Sequence, residues 1–142
     1  MNKKILGIAT VLAASIWLFG QEAKPWTVPK EESERKNPVA STPASLKDAK
    51  TLYDKDCAIC HGATGNGEGA GAIALKSRPL DFTITVLMDQ KTDGELFYKL
   101  SEGRMPMPAY KGKLSEEQRW KLVSYLRSFS KKDSGKKSKG GR

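Results

Sequence analysis

Two cysteines and one histidine stand within five residues, as Cys57-Ala58-Ile59-Cys60-His61, and the 142-residue chain has no other Cys or His. Two thiols three residues apart can add to the two vinyl groups of one porphyrin, and a histidine that follows at once is carried beneath the metal. The spacing is that of covalent haem attachment, with Cys57 and Cys60 as anchors and His61 as the proximal ligand of the iron. The other chemistries open to these residue types fail on inventory. Structural zinc needs four protein ligands and catalytic zinc usually three. Cys57, Cys60 and His61 would crowd one side of such an ion, with no further Cys or His to close the shell. A thioredoxin-like C-x-x-C expects a βαβ setting, and nothing here alternates strand with helix. A disulfide between Cys57 and Cys60 would close a very small loop and leave His61 without a role. Triad chemistry has no free histidine to use.

The elements that must position these groups are mostly helical. Ser45 with Asp48 reads as an N-cap, and Leu46, Ala49, Leu52 and Tyr53 follow at helical spacing, giving a helix that runs into Cys57. Residues 62–71 carry five glycines and hold neither helix nor strand. A middle helix is expected from about Thr92 to Leu100, opened by the Thr92-to-Glu95 box and closed by Gly103. The last helix is the clearest. Ser115 caps it, Glu116 and Glu117 suit its positive end, Gln118 completes the box, and Leu122, Val123, Leu126 and Phe129 form one face. No repeat and no convincing strand is present. The expected fold class is mostly α, three to four helices with long loops around one covalently bound haem.

Four features in order, from about residue 45 to 130, make the chain resemble a class I c-type cytochrome of the small bacterial monohaem kind. They are the short helix into C-x-x-C-H, the Gly62-Ala63-Thr64-Gly65-Asn66-Gly67 turn, the segment Gly103-Arg104-Met105-Pro106-Met107-Pro108-Ala109-Tyr110, and the capped last helix. The resemblance implies a cytochrome c fold and haem iron held by His61 and a methionine. The family's Met-Pro-Ala-aromatic pattern falls on Met107-Pro108-Ala109-Tyr110, which implies Met107 as the second axial ligand and leaves Met105-Pro106 as the weaker alternative. It also implies that Ala49 and Tyr53 on the first helix meet Leu122 and Tyr125 on the last. Pro79 is the candidate to accept the other ring N–H of His61 through its carbonyl.

The rest of the chain sets the context. Residues 45–130 hold 13 Lys or Arg against 11 Asp or Glu, whereas residues 131–142 hold six against one, so the net charge of +9 describes an appendage more than a domain. That tail reads as basic and disordered. Asn2-Lys3-Lys4 and the apolar run Ile5 to Gly20 read as a signal peptide over residues 1–23, or as an uncleaved membrane tether through residues 5–20 with Trp26 as an interfacial anchor. Residues 24–44 carry Pro25, Pro29, Pro38 and Pro43 among charges and read as an extended linker, with ordered structure beginning at Ser45. The domain is expected outside the cytoplasm, in the periplasm, as a monomer that exchanges single electrons with redox proteins, binds no nucleic acid and is not an enzyme. Two alternatives stand beside that reading. One is a haem subunit docked permanently on a dehydrogenase or oxidase; the other is a gas-binding or peroxide-reactive haem protein with a labile methionine.

Overall fold

The computed structural model describes residues 25–137, with side chains through residue 130. Six α-helices follow one another as α1 (Lys30–Ser33), α2 (Pro43–Asp56), α3 (Ala58–His61), α4 (Thr85–Asp89), α5 (Asp93–Glu102) and α6 (Glu116–Lys137), with one 3₁₀ turn at Ala70–Ala74. Among the described residues there is no strand, only an isolated antiparallel pairing of Arg104 with Met107. Within the same residues no helix is long and apolar enough to cross a membrane. The leader or tether expected at residues 1–23 lies outside the described residues.

The helix starts follow local chemistry. In α2 the cap is Thr42 rather than Ser45. The Ser45 N–H donates to Thr42 Oγ1 at 3.1 Å, and the Thr42 N–H donates back to Ser45 Oγ at 2.9 Å. Pro43 takes the first helical position, where its fixed φ suits the helix and its missing N–H costs nothing. Asp48 therefore sits inside the helix, where it meets Lys121 of α6 at 3.1 Å. In α5 the Glu95 N–H donates to the Thr92 hydroxyl at 3.0 Å, and the helix stops at Gly103. At the start of α6, the Gln118 N–H donates to Ser115 Oγ at 3.2 Å and the Ser115 N–H to Gln118 Oε1 at 2.8 Å. That helix continues to Lys137, so the first part of the tail expected to be disordered is helical, and residues 138–142 lie outside the described residues.

The core is where α2 crosses α6. Ala49, Tyr53, Leu122, Val123, Tyr125 and Phe129 are all buried. The Tyr53 ring stands 5.4 Å from that of Tyr125 and 5.2 Å from that of Phe129, both tilted as aromatic quadrupoles favour. Helix α5 packs on α6 through Phe97 and Trp120, whose rings stack 3.9 Å apart. Arg127 joins α6 to the α4–α5 region, pairing with Asp93 at 2.9 Å and donating to the backbone carbonyls of Met88 and Lys91. Met88 is fully buried.

Residues 25–41 differ from the expected linker. They run along α5 and α6 as a strap held by groups far away in sequence. Asn37 Nδ2 donates to the Trp120 carbonyl at 3.1 Å and to Ser124 Oγ at 3.0 Å. The Arg35 guanidinium lies 4.7 Å from the Phe97 ring and pairs with Glu116 at 2.6 Å. Such contacts obey no local period, which is why a pattern reading finds only a polar, proline-rich stretch.

The Tyr53 hydroxyl donates to the Gly62 carbonyl at 2.8 Å inside the core, tying α2 to the loop after His61. Tyr53→Phe leaves that buried acceptor unpaired. It is expected to lower stability to urea by roughly 1–3 kcal/mol, read as a shift in unfolding midpoint at unchanged slope.

Candidate functional site

The helix that begins at Pro43 does not simply run on. Cys57 closes α2 and opens α3 with its backbone at φ −117° and ψ −39°, and this break lets four residues turn before Gly62 stops the chain. The short turn brings both sulfurs and the imidazole to one side. The loop that follows folds back on it. The Gly67 N–H donates to the His61 carbonyl at 2.8 Å, the Gly69 N–H to the Cys60 carbonyl at 3.1 Å, and the Phe82 N–H to the Gly65 carbonyl at 2.8 Å. The glycine-rich segment is thus a clamp on the C-x-x-C-H turn.

These residues open onto a cavity of about 430 Å³. That volume lies within the ~300–1,000 Å³ usual for cofactor sites. Cys57, Cys60, His61, Met105 and Met107 all line it, with Leu80, Phe82, Leu100 and Leu126 among its apolar walls. The Phe82 ring stacks on the imidazole at 4.7 Å and 19°, which fixes the plane of His61. His61 Nδ1 is buried and has no hydrogen-bond partner, so Nε2 is the nitrogen left to face the cavity. Burial pushes the imidazole toward its neutral form, with the Leu80 backbone acting the other way without reaching hydrogen-bond geometry at Nδ1. Pro79, expected to accept that ring N–H, lines the cavity but makes no such bond.

The two thiols are free and half-buried. Burial first, then the charge of Asp56, raises the Cys57 thiol to about 12, with the nearby Tyr110 hydroxyl acting the other way. A thiol held neutral is a poor metal thiolate and a poor nucleophile. It suits conversion to an uncharged thioether beside an apolar cavity. Among the described residues no cluster of three His, Cys, Asp or Glu side chains can hold a metal ion alone. A neutral imidazole, two cysteine sulfurs on one turn and methionine thioethers around an apolar space of this size fit a haem.

The two methionines of the 103–110 segment are told apart by a tight turn. The Arg104 N–H donates to the Met107 carbonyl at 3.0 Å and the Met107 N–H to the Arg104 carbonyl at 2.9 Å. This pairing leaves Met105 at the tip, 86% exposed, while Met107 packs against the core at the base. Gly103 sets up the turn with φ +62°, and a Cβ there would fall 2.5 Å from the Ala109 nitrogen. Tyr110 fastens the segment, donating from its hydroxyl to the Asp56 carbonyl at 2.8 Å and from its N–H to the Leu100 carbonyl at 3.2 Å. Sequence reasoning did not find Phe82 or the Tyr110 brace, because each acts across a loop with no periodic signal. It gave Trp26 a role only as an interfacial anchor of an uncleaved tether and did not find that the ring lines this cavity.

A family model described as cytochrome c oxidase, cbb3-type, subunit III matches residues 44–126. Cytochrome c6 of a Synechococcus strain is 26% identical over 96 residues, spanning 66% of this chain and 80% of that protein. Cytochrome c6 of Leptolyngbya boryana is 31% identical over 75 residues, spanning 53% and 81%. Among solved structures, a chain of the Kuenenia stuttgartiensis reducing HAO-like protein complex superposes with a TM-score of 0.56 at 25% identity. That match covers 65% of this chain and 46% of the other, so this chain spans under half of that neighbour.

Gly103→Ala forces a methyl group into the Pro108–Ala109 backbone and a left-handed φ on a side-chain-bearing residue. It is expected to cost at least about 1–2 kcal/mol in urea denaturation and to speed hydrogen exchange at the Tyr110 amide.

Proposed function

This chain belongs to the class I c-type cytochromes, in the family described as cytochrome c oxidase, cbb3-type, subunit III, and we propose that it is a one-electron carrier working outside the cytoplasm. It carries one covalently attached haem c and serves electron transfer. We assign the thioether links to Cys57 and Cys60 and the two axial positions on the iron to His61 and Met107. One observation supports this assignment above others: a single cavity is lined by both cysteines, the chain's only histidine and both methionines of the 103–110 segment, of which Met107 packs against the core while Met105 is 86% exposed.

When bound, the haem supplies an iron that takes up and releases a single electron, at a potential raised by His/Met ligation. The chain's own residues hold that centre still. Phe82 fixes the imidazole plane, and the clamp from Gly67 and Gly69 holds the backbone of the attachment turn. The double pairing of Arg104 with Met107, stiffened by Pro106 and Pro108, holds the thioether sulfur in one place. A sulfur that does not move between oxidation states leaves little to reorganise during transfer. With His61 committed to the iron no imidazole remains as a general base, so the site suits outer-sphere transfer rather than substrate chemistry.

The partners are redox proteins, and the near-neutral domain with its basic tail would steer acidic ones. We propose an exported chain, delivered by residues 1–23 or held by residues 5–20 as a tether, with the cytochrome domain as a monomer. A second reading, a haem subunit held on a larger partner, draws on the family's description as an oxidase subunit and on the neighbour's place in a complex. Gentle extraction followed by native mass separates the two, since a shuttle runs alone and a subunit with its partner.

The ligand assignment is tested by absorption spectra of the haem-loaded protein. The oxidised wild type and Met105→Ala are expected to show the weak red-edge band of sulfur-ligated iron, and Met107→Ala to lose it and bind carbon monoxide readily when reduced. Retention of the band in Met107→Ala would overturn the assignment.

A further inference from the structure

The N-terminal strap touches the cofactor cavity. Trp26, half-buried, lines the same cavity as Cys57, His61 and Met107. Two cations of α5 and the segment that follows it lie near its ring, with Arg104 Cζ at 4.9 Å and Lys99 Nζ at 5.6 Å from the ring centroid. Both distances lie within the ~6 Å reach of a cation–π contact. Lys99 is itself oriented by Glu95 at 2.6 Å. Arg104 is the residue whose backbone pairs with Met107. The indole therefore stands against the segment that presents the methionine.

The strap behind Trp26 is fastened by contacts that leave little freedom. Helix α1 approaches the start of α5 so closely that a Cβ on Gly94 would lie 2.1 Å from the Glu32 carbonyl oxygen and 2.9 Å from that of Ser33. The Thr92 hydroxyl, which caps α5, also donates to the Ser33 carbonyl. Arg35 adds its stack on Phe97 and its pairs with Glu32 and Glu116, and Asn37 anchors the strap to α6. Four separate anchors on two helices fix residues 32–37, a few residues beyond Trp26.

We propose that residues 25–41 are an integral wall of the cofactor site, with Trp26 shielding the methionine side of the haem from water and from small ligands. This rests on the haem reading of the cavity, and it adds a cofactor-facing residue from outside the segment that the family model matches, residues 44–126. An indole at that edge displaces water beside the iron's sulfur ligand. A less hydrated, more enclosed haem edge favours the reduced, less charged centre and slows exchange of the axial bond.

Two measurements on the full haem-loaded chain test the proposal. The first is limited trypsin digestion, followed by mass spectrometry at the Arg35 and Lys36 sites. The wild type is expected to be cut there at least ten-fold more slowly than a peptide of residues 25–41, and Gly94→Ala to be cut nearly as fast as that peptide. The second is the rate at which free imidazole displaces the sixth ligand of the oxidised haem. It is expected to rise at least three-fold in Trp26→Ala, with a lowered reduction potential, and to stay within two-fold of wild type in Trp26→Phe, which keeps an aromatic wall. Digestion of the wild type as fast as the peptide, or an unchanged imidazole rate and potential in Trp26→Ala, would overturn it. The digestion readout does not depend on which residues ligate the iron. A wild-type chain that takes up imidazole instantly, with its strap still protected, would instead count against the closed His/Met site.

Discussion

Everything in this fold follows from the need to hold one imidazole ring in a fixed plane beside two sulfurs that come from the same short turn. His61 is the chain's only histidine, and its ring lies flat on Phe82 with Nδ1 buried. A turn as short as α3 has no stability of its own. It is held by α2 in front, by the Tyr53 hydroxyl on the Gly62 carbonyl, and by the Gly67 and Gly69 amides that return to the carbonyls of His61 and Cys60. The crossing of α2 with α6 supports Tyr53, and the 103–110 segment is braced against the end of α2 through Tyr110.

The same geometry explains why so modest a core suffices. Only 38% of the residues are hydrophobic, and buried ones such as Tyr53, Phe82, Leu100, Leu122 and Leu126 give one side of the core to a cavity of about 430 Å³. At the ~24 cal/mol per Å³ that cavities cost in protein cores, a void of that size would represent on the order of 10 kcal/mol. That is an upper bound, because the mouth is open to water. It is nevertheless comparable with the ~5–15 kcal/mol by which a whole domain is stable. The cofactor is therefore a structural component of the core as well as its redox centre. The lateral support from the strap belongs to the same economy, since Trp26 and Arg35 add aromatic and cation contacts to helices with few apolar partners left.

What could be read from the residues alone was what is local. The C-x-x-C-H turn, the Thr92–Glu95 and Ser115–Gln118 caps and the apolar face of α6 all depend on neighbours within one helical turn. The first helix was displaced by three residues because Ser45 is a cap-like residue that serves as the reciprocal partner of a Thr42 cap instead. Met105 and Met107 are alike as sequence, since each precedes a proline, and their unequal burial emerges only with the Arg104–Met107 pairing. The strap was illegible for a deeper reason. Asn37 and Arg35 find their partners more than eighty residues away, and a segment rich in proline and charge carries no period that announces a docking face.

The proposed function requires the iron to be closed between His61 and Met107. Proton NMR of the reduced, diamagnetic haem protein addresses it most directly, because a methyl group on an axial sulfur lies in the shielding cone of the porphyrin. His61/Met107 ligation predicts one three-proton singlet shifted far upfield, with cross-relaxation to Pro108 and Tyr110, and its disappearance when Met107 alone is replaced. No such singlet, or one that vanishes with Met105 and survives without Met107, would contradict it.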